Sequence, residues 1–254
     1  MSCSAVKRWV VAWLLALGAS TLWAQSPTVV KVGVYPFLPF SDGRSGLTHE
    51  LVQALNAFQS EYRFETVPTS ANRRYRDMAD GAYSHIFFES VKWGWQPDQV
   101  DASKVYLKGD GEVFVARAQR GRGQEYFQTL ADKDLMVVLG YHYAFADFEA
   151  TPAELRKRFS ITFSTDNAVI LHNLLAGRGD VAVLTKSYLN RYLVENPKDR
   201  GLLLISQRMD QAYAHTTLVA KGAHPSVQEL NRLFTQMEAE GILGKLWAAY
   251  GMAP

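Results

Sequence analysis

Cysteine is almost absent from this chain of 254 residues, in which Cys3 is the only one. A single cysteine cannot form a disulfide within the chain, and it offers no thiolate metal site. Cys3 also precedes the apolar N-terminal run, whereas the cysteine of a lipoprotein signal follows such a run, so we expect no lipid anchor. An exported protein without disulfides fits a bacterial periplasm better than a disulfide-rich secreted scaffold.

Long apolar runs are scarce as well. The run from Trp9 to Ala24 has 16 uncharged residues and follows Lys7 and Arg8. It is shorter than the roughly 20 residues that a membrane-spanning helix needs. A basic start followed by a short apolar stretch is typical of a cleavable signal peptide, which we predict for residues 1–24. An uncleaved membrane anchor is the alternative.

Neither sign of charge is in excess. After the signal peptide the chain has 25 basic and 25 acidic residues. Nucleic-acid-binding proteins usually have a basic excess, so we expect no nucleic-acid partner. His85, His172 and His224 show no metal-ligand spacing, and we expect neither a metal nor a cofactor. The mature chain suffices for one large or two modest domains.

The order of apolar patterns predicts an α/β fold. The run "TVVKVGV" is typical of a strand, and Leu47, Leu51, Leu55 and Phe58 recur at the spacing of an amphipathic helix. Up to "HIFFES" the pattern is β-α-β-α-β, which indicates a parallel sheet covered by helices. A second α/β unit begins at "DLMVVLGYHYAF". Two separate strands, "GLLLISQRM" and "HTTLVAKG", and an amphipathic helix pair complete the chain.

This order predicts two lobes, the first of them discontinuous. We assign residues 25–116 and 214–254 to lobe 1 and residues 117–213 to lobe 2. Two extended crossings between the lobes would form a hinge. Ligands of open α/β sheets lie beyond the carboxyl ends of the strands, so the lobes are expected to face each other across a ligand cleft.

Several motifs of the mature chain occur in a familiar order: "VKVGVYPFLPFSD", the helix "LVQALNA", "RDMADGAYSHIFFES", "GYHYAF", "LLAGRGDVAVLTKSYL" and "LFTQMEAEGILGKLWAAYG". Together they resemble bacterial periplasmic solute-binding proteins of the amino-acid-binding type, solute-binding protein family 3. The resemblance implies a type II periplasmic-binding-protein fold with two mixed sheets flanked by helices, a hinge and a central cleft. It implies a monomer that captures a small solute by hinge closure. An ABC importer or a sensor is the implied partner, and the choice stays open.

The same resemblance shows where this chain departs from the family. Amino-acid binders hold the α-carboxylate with an arginine after the third strand and the α-ammonium with a later aspartate. Here Trp93, Gly94 and Trp95 follow the third strand, and Thr185 stands beside Lys186 at the later position. We therefore expect a small polar or aromatic, amino-acid-like solute whose identity stays open.

In lobe 1, the loop after the first strand and the next loop supply candidates for the cleft. Tyr35, Phe37 and Phe40 surround two prolines, and the family often stacks an aromatic ring on its ligand there. Ordinary core packing is the alternative. Arg73 begins a helix, where anions are favoured. A solvated basic face is the alternative, and the sequence does not separate Arg73 from Arg74.

The end of the third strand and the loop after it contain four candidate site residues. Glu89 and Ser90 follow the apolar run, and Glu89 is suited to an ammonium or hydroxyls. A salt bridge from Glu89 to Lys92 or an arginine is the alternative. Trp93 and Trp95 have the same parity in an extended chain and are expected to share one side. We predict that at least one of them lines the cleft.

In lobe 2, the loop "GYHYAF" follows the first strand. Gly140 permits close backbone approach, and Tyr141, His142 and Tyr143 supply polar tips. With Thr185 these residues complete the predicted ligand-binding set.

We predict a binding protein rather than an enzyme. Some relatives of the family, the periplasmic cyclohexadienyl dehydratases, perform acid–base elimination in the same cleft. Glu89, His142 and Lys186 offer acid and base groups for such chemistry. This dehydratase-like enzyme is the alternative function, because a fold alone does not decide between the two.

Overall fold

The computed structural model describes residues 26–252, which contain nine strands and seven α-helices. The strands are β1 (Thr28–Val34), β2 (Tyr62–Pro68), β3 (His85–Glu89), β4 (Val100–Ala102), β5 (Leu107–Arg117), β6 (Leu135–Val138), β7 (Ile161–Ser164), β8 (Val181–Thr185) and β9 (Leu203–Ala220). The helices are α1 (Leu47–Phe58), α2 (Arg74–Ala79), α3 (Pro152–Arg158), α4 (Asn167–Leu175), α5 (Lys186–Glu195), α6 (Val227–Ala239) and α7 (Ile242–Ala249).

The strands pair in the order β2-β1-β3-β9-β5-β8-β6-β7, and β4 also pairs with β9. β1 is parallel to β2 and β3, and β6 is parallel to β7 and β8. The two parallel groups are joined by β5 and β9, which are antiparallel to each other and to their outer neighbours. The predicted α/β alternation is confirmed in both groups.

One element differs from the prediction. The segments expected to be separate strands form the single 18-residue strand β9, which pairs with β5 along its first part and with β3 and β4 near its end. Gly111 makes this possible in β5, since a Cβ there would lie 2.2 Å from the Gln211 carbonyl oxygen. The predicted two sheets are therefore continuous through β5 and β9.

Apolar packing fixes the elements around these strands. Leu47, Leu51 and Leu55 of α1 are fully buried, as their spacing predicts. Burial of each such side chain contributes roughly 1.5–3 kcal/mol. Helix α7 places Trp247 against Phe88 of β3, at a ring-centroid distance of 5.8 Å. The C-terminal helix pair therefore covers the group of strands that contains β1 and β3.

The predicted signal peptide, residues 1–24, and Cys3 lie outside the described residues. Within residues 26–252, every helix is too short or too polar to cross a membrane. The same residues contain no cluster of three or more His, Cys, Asp or Glu side chains arranged to hold a metal ion.

Candidate functional site

A small internal cavity lies where the loops after β1, β3 and β6 meet β5 and β9. The loops after β1 and β3 and the start of α2 supply four of its lining residues. The cavity therefore lies at the carboxyl ends of strands, where ligands of α/β proteins are expected. Larger depressions of about 490 and 510 Å³ lie at the surface, but they lack buried charges at strand ends. The four residues are Tyr35, Phe37, Arg74 and Trp93.

The opposite side and the crossing strands complete the cavity. Tyr141 and His142 come from the loop after β6, Glu112 from β5, and Gln211 and Tyr213 from β9. The free volume is about 10 Å³. That is room for about one water molecule, so any organic solute requires the two sides to move apart.

Aromatic rings fill most of the space. The ring of Phe37 lies 5.8 Å from Trp93, 5.5 Å from Tyr141 and 5.8 Å from Tyr213, each in an edge-to-face arrangement. Trp93 and Tyr213 are 5.2 Å apart. Each such pair contributes about 0.5–1.5 kcal/mol beyond the area that it buries. Ring edges and faces from four separate chain segments therefore form the cavity wall.

Arg74 is a buried cation with a buried counterion. Its Nε lies 3.2 Å from Oε1 of Glu89, and both side chains are almost fully buried. The Tyr35 hydroxyl and the Trp95 indole N–H donate to the two Glu89 oxygens at 2.7 and 2.8 Å. Burial raises the pKa of Glu89, while the Arg74 charge and these hydrogen bonds oppose the rise. Because an arginine stays protonated in proteins, Glu89 serves as its anion.

The two terminal nitrogens of Arg74 make three hydrogen bonds to backbone oxygens. One terminal nitrogen donates to the carbonyls of Ala71 and Gly140, and the other donates to the Trp93 carbonyl at 3.4 Å. Nε faces Glu89 without hydrogen-bond alignment. The guanidinium carbon also lies 4.4 Å from the ring centroid of Tyr75. The guanidinium is thus held by the protein itself.

Glu112 has the opposite character. It is buried, and among residues 26–252 it makes no ion pair. Gln211 donates to its Oε2 at 2.6 Å, to the His142 carbonyl at 2.6 Å, and accepts from the Trp93 indole at 3.0 Å. Burial raises the pKa of Glu112 well above its ordinary value, and the nearby Asp210 carboxylate raises it further.

His142 is neutral at ordinary pH, since burial lowers its pKa to about 4. Its Nδ1 lies 2.6 Å from the Phe148 carbonyl oxygen, which accepts a hydrogen bond only if Nδ1 has the proton. Nε2 is then an acceptor for the Tyr75 hydroxyl at 2.7 Å. That hydroxyl also lies 2.6 Å from the Trp93 carbonyl, so its single proton is shared between two acceptors.

Direct contacts close the cavity from both sides. The Tyr141 hydroxyl donates to the Pro36 carbonyl at 3.0 Å. Gly140 has a φ of +82°, and a Cβ there would lie 2.2 Å from Asn72 Oδ1. Gly94 has a φ of +81°, and a Cβ there would lie 2.8 Å from the His142 ring. Two glycines in the left-handed region therefore permit the close approach of the two sides.

Five predicted site residues line the cavity: Tyr35, Phe37, Trp93, Tyr141 and His142. Glu89 and Trp95 lie in the layer behind Arg74. Three further predicted residues lie away from the cavity. Phe40 packs on His215 at 4.6 Å, the Tyr143 hydroxyl accepts a hydrogen bond from the Val138 amide, and the Thr185 hydroxyl accepts one from the Asn167 amide. Ser90 is half-buried, and its hydroxyl accepts from the Lys92 amide.

Arg73 lies outside the cavity, and of the two arginines that the sequence did not separate, Arg74 is the one that lines it. Its side chain is 69% exposed and pairs with Asp77 at 3.3 Å. Arg74 begins α2 and points inward instead, because neighbouring helical residues differ by about 100° in direction. The sequence did not identify three lining residues, Glu112 from β5 and Gln211 and Tyr213 from β9. Glu112 alone had a local signal, a carboxylate between a glycine and an apolar run.

No protein-family model and no curated protein sequence matches this chain, so the comparison rests on solved structures. A substrate-binding protein of an ABC uptake transporter from Streptococcus pneumoniae, with bound histidine, superposes with a TM-score of 0.69 at 17% identity, over 87% of this chain and 92% of that one. The substrate-binding protein of an amino-acid ABC transporter gives 0.65 at 16% identity, over 87% and 98%. This chain has the fold of amino-acid ABC transporter substrate-binding proteins.

A third similar structure is an ancestral amino-acid-binding protein described as a precursor of cyclohexadienyl dehydratase. It superposes with a TM-score of 0.67 at 18% identity, over 87% of this chain and 94% of that one. The predicted type II binding-protein fold is thus confirmed.

Proposed function

We propose that the protein captures a small solute between two lobes, residues 25–116 with 214–254 and residues 117–213, that move about β5 and β9. The observation that carries this proposal is the cavity at the meeting point of both lobes. Its rings and polar groups come from both sides, and only separation of the sides admits a solute. Binding on one lobe followed by closure of the other is the ordinary mechanism of such a hinge.

Three further features belong to this proposal. Export by cleavage after Ala24 would place the protein in the periplasm. An ABC importer or a sensor would receive the loaded form, as the similar transporter proteins suggest. We expect the protein to act as a monomer.

The dehydratase-like alternative is not supported by the arrangement of its groups. Of the three residues that could supply acid and base, His142 alone lines the cavity. Glu89 is the buried counterion of Arg74. Lys186 lines a separate surface depression with Lys108 and Asp110.

A thermal-shift screen over amino acids, polyamines, organic acids and aromatic acids tests the proposal. A solute at about 100 times its Kd stabilises the folded protein by about 2.7 kcal/mol, which raises the melting temperature by several degrees. Absence of any shift across all four classes would contradict solute binding.

A further inference from the structure

We propose, on the basis of the proposed solute-binding function, that the solute is a small organic cation without a carboxylate, bound with its cationic group against Glu112 and inside the aromatic wall. The main observation is the imbalance of charge in the cavity. Arg74 has Glu89 as an internal counterion, whereas Glu112 has no cation within ion-pair distance among the described residues. A buried carboxyl group is costly to ionise without a cationic partner, and a cationic solute would supply that partner.

The rings around the cavity suit the same ligand. Phe37, Trp93, Tyr141 and Tyr213 all line the cavity that Glu112 enters. Their centroids are 5.2–5.8 Å apart in the pairs that touch. Aromatic faces attract ammonium and guanidinium groups, most strongly when water is excluded. A ring cluster with one carboxylate is therefore a chemical match for an alkylated or aryl-substituted amine.

A carboxylate on the solute has no uncompensated cation here. Arg74 is the one cation among the lining residues; Glu89 neutralises its charge, and its terminal nitrogens donate to the carbonyls of Ala71, Gly140 and Trp93. Once the cationic group of the solute has ionised Glu112, a carboxylate on the same solute would lie near that negative charge. Like charges brought together at a binding site cost several kcal/mol. An amino acid would therefore bind less well than the corresponding amine.

The approach to the cavity also favours a cation. His142 lines both the inner cavity and an outer depression of about 510 Å³, whose rim includes Glu149 and Asp147; Asp147 is paired with Arg158 at 2.8 Å, whereas Glu149 makes no ion pair among the described residues. His142 itself is uncharged, so it does not repel a cation. Carboxylates at the mouth of a cleft raise the local concentration of cations.

Binding of a cation to Glu112 should release a proton. The groups that bear on this carboxyl are Asp110, Asp210, Gln211 and Tyr213. Tyr141 faces it from the loop after β6 and has a raised pKa, so it stays uncharged. Burial and Asp210 keep the Glu112 carboxyl protonated above its ordinary range, and the cation requires the ionised form. Affinity should therefore rise about tenfold per pH unit until the raised pKa of Glu112 is reached.

The test compares matched pairs of compounds by calorimetry: tyramine with tyrosine, agmatine with arginine, and choline with glycine betaine. We expect at least one amine to bind at least about tenfold more tightly than its carboxylated partner. Below the raised pKa of Glu112, titrations in buffers of different ionisation enthalpy should show release of up to one proton on binding. Glu112→Gln should weaken that amine at least tenfold and abolish the proton release.

Glu154→Gln is the matched control, because Glu154 is an exposed carboxylate of α3 paired with Lys157. It should leave both the affinity and the proton release unchanged. Equal or tighter binding of the carboxylated partners would overturn this inference and leave solute binding intact. Undiminished amine binding by Glu112→Gln would also overturn it. Absence of binding by every compound of the three pairs would overturn it too, and the broader four-class screen then decides whether solute binding itself fails.

Discussion

Arg74 and Glu112 are both buried ionisable residues of one cavity, and they differ in what surrounds them. Arg74 is enclosed by protein: Glu89 neutralises its charge, two aromatic rings flank it, and backbone carbonyls accept hydrogen bonds from it. Glu112 accepts a hydrogen bond from the Gln211 amide, lies beside the Tyr213 hydroxyl and has a carboxylate neighbour, Asp210. Arg74 therefore has its counter-charge within the protein, whereas Glu112 has none and can ionise against a cationic ligand.

The largest expected effect comes from breaking the internal pair. Glu89→Gln leaves Arg74 buried without a counterion, and we expect the free energy of unfolding to fall by about 3–5 kcal/mol. Urea denaturation at neutral pH measures this change. The double variant Arg74→Met/Glu89→Gln should recover most of the loss, because apolar groups often replace a buried ion pair at little cost. A loss below about 1 kcal/mol in Glu89→Gln would mean that Arg74 finds its counter-charge elsewhere.

A smaller effect should follow from removal of one hydrogen bond to the pair. Tyr35→Phe deletes the hydroxyl that donates to Glu89 Oε1 at 2.7 Å and keeps the ring. Hydrogen bonds to charged groups contribute about 1.5–3 kcal/mol, so we expect a loss of that size in urea denaturation. Tyr213→Phe is the matched comparison, since its hydroxyl lies beside Glu112. An equal loss in both variants would remove the distinction between a charged Glu89 and a protonated Glu112.

The sequence predicted part of this contrast. The apolar run of β3, followed by Glu89, Trp93 and Trp95, correctly indicated a strand that ends beside a cavity wall. The partner of Glu89 was left open between Lys92 and an arginine. Spacing along the sequence cannot identify this partner, because the distance between Glu89 and an arginine of α2 depends on how α2 packs over β3.

The missed residues show the same limit more strongly. Glu112 and Gln211 meet across the antiparallel pair β5 and β9, although 99 positions separate them along the chain. Both strands were read as crossings between lobes, and an extended crossing has no signal for which side chains face inward. Whether Arg73 or Arg74 faces inward depends on the residue at which α2 begins. A sequence pattern locates the first residue of a helix only to within one or two positions.

The pH dependence of stability offers a third test of the comparison. Because burial raises the pKa of Glu112 in the folded protein, the folded state holds a proton that the unfolded state releases above about pH 4.3. The wild type should therefore lose stability relative to Glu112→Gln as pH rises, by up to about 1.4 kcal/mol per pH unit, until the folded pKa is passed.

Only the difference in stability between the wild type and Glu112→Gln isolates the titration of Glu112. Burial lowers the pKa of His142 and of His85 to about 4, so each histidine contributes a stability that is lost as pH falls below about 6.5. That opposite slope is present in both proteins and cancels in the comparison. Parallel stability curves from pH 4.5 to 8 would show that Glu112 titrates normally and would count against its receptive role.

The smallest expected effect concerns the contact that joins the two sides. Tyr141→Phe removes the neutral hydrogen bond to the Pro36 carbonyl and keeps the aromatic ring in the wall. We expect a loss of about 0.5–1.5 kcal/mol, less than in Tyr35→Phe, because neither partner is charged. Hydrogen exchange at the amides of the two loops should rise, since this bond holds the sides together. A loss as large as that of Tyr35→Phe would mean that closure, rather than the Arg74–Glu89 pair, dominates the stability of this region.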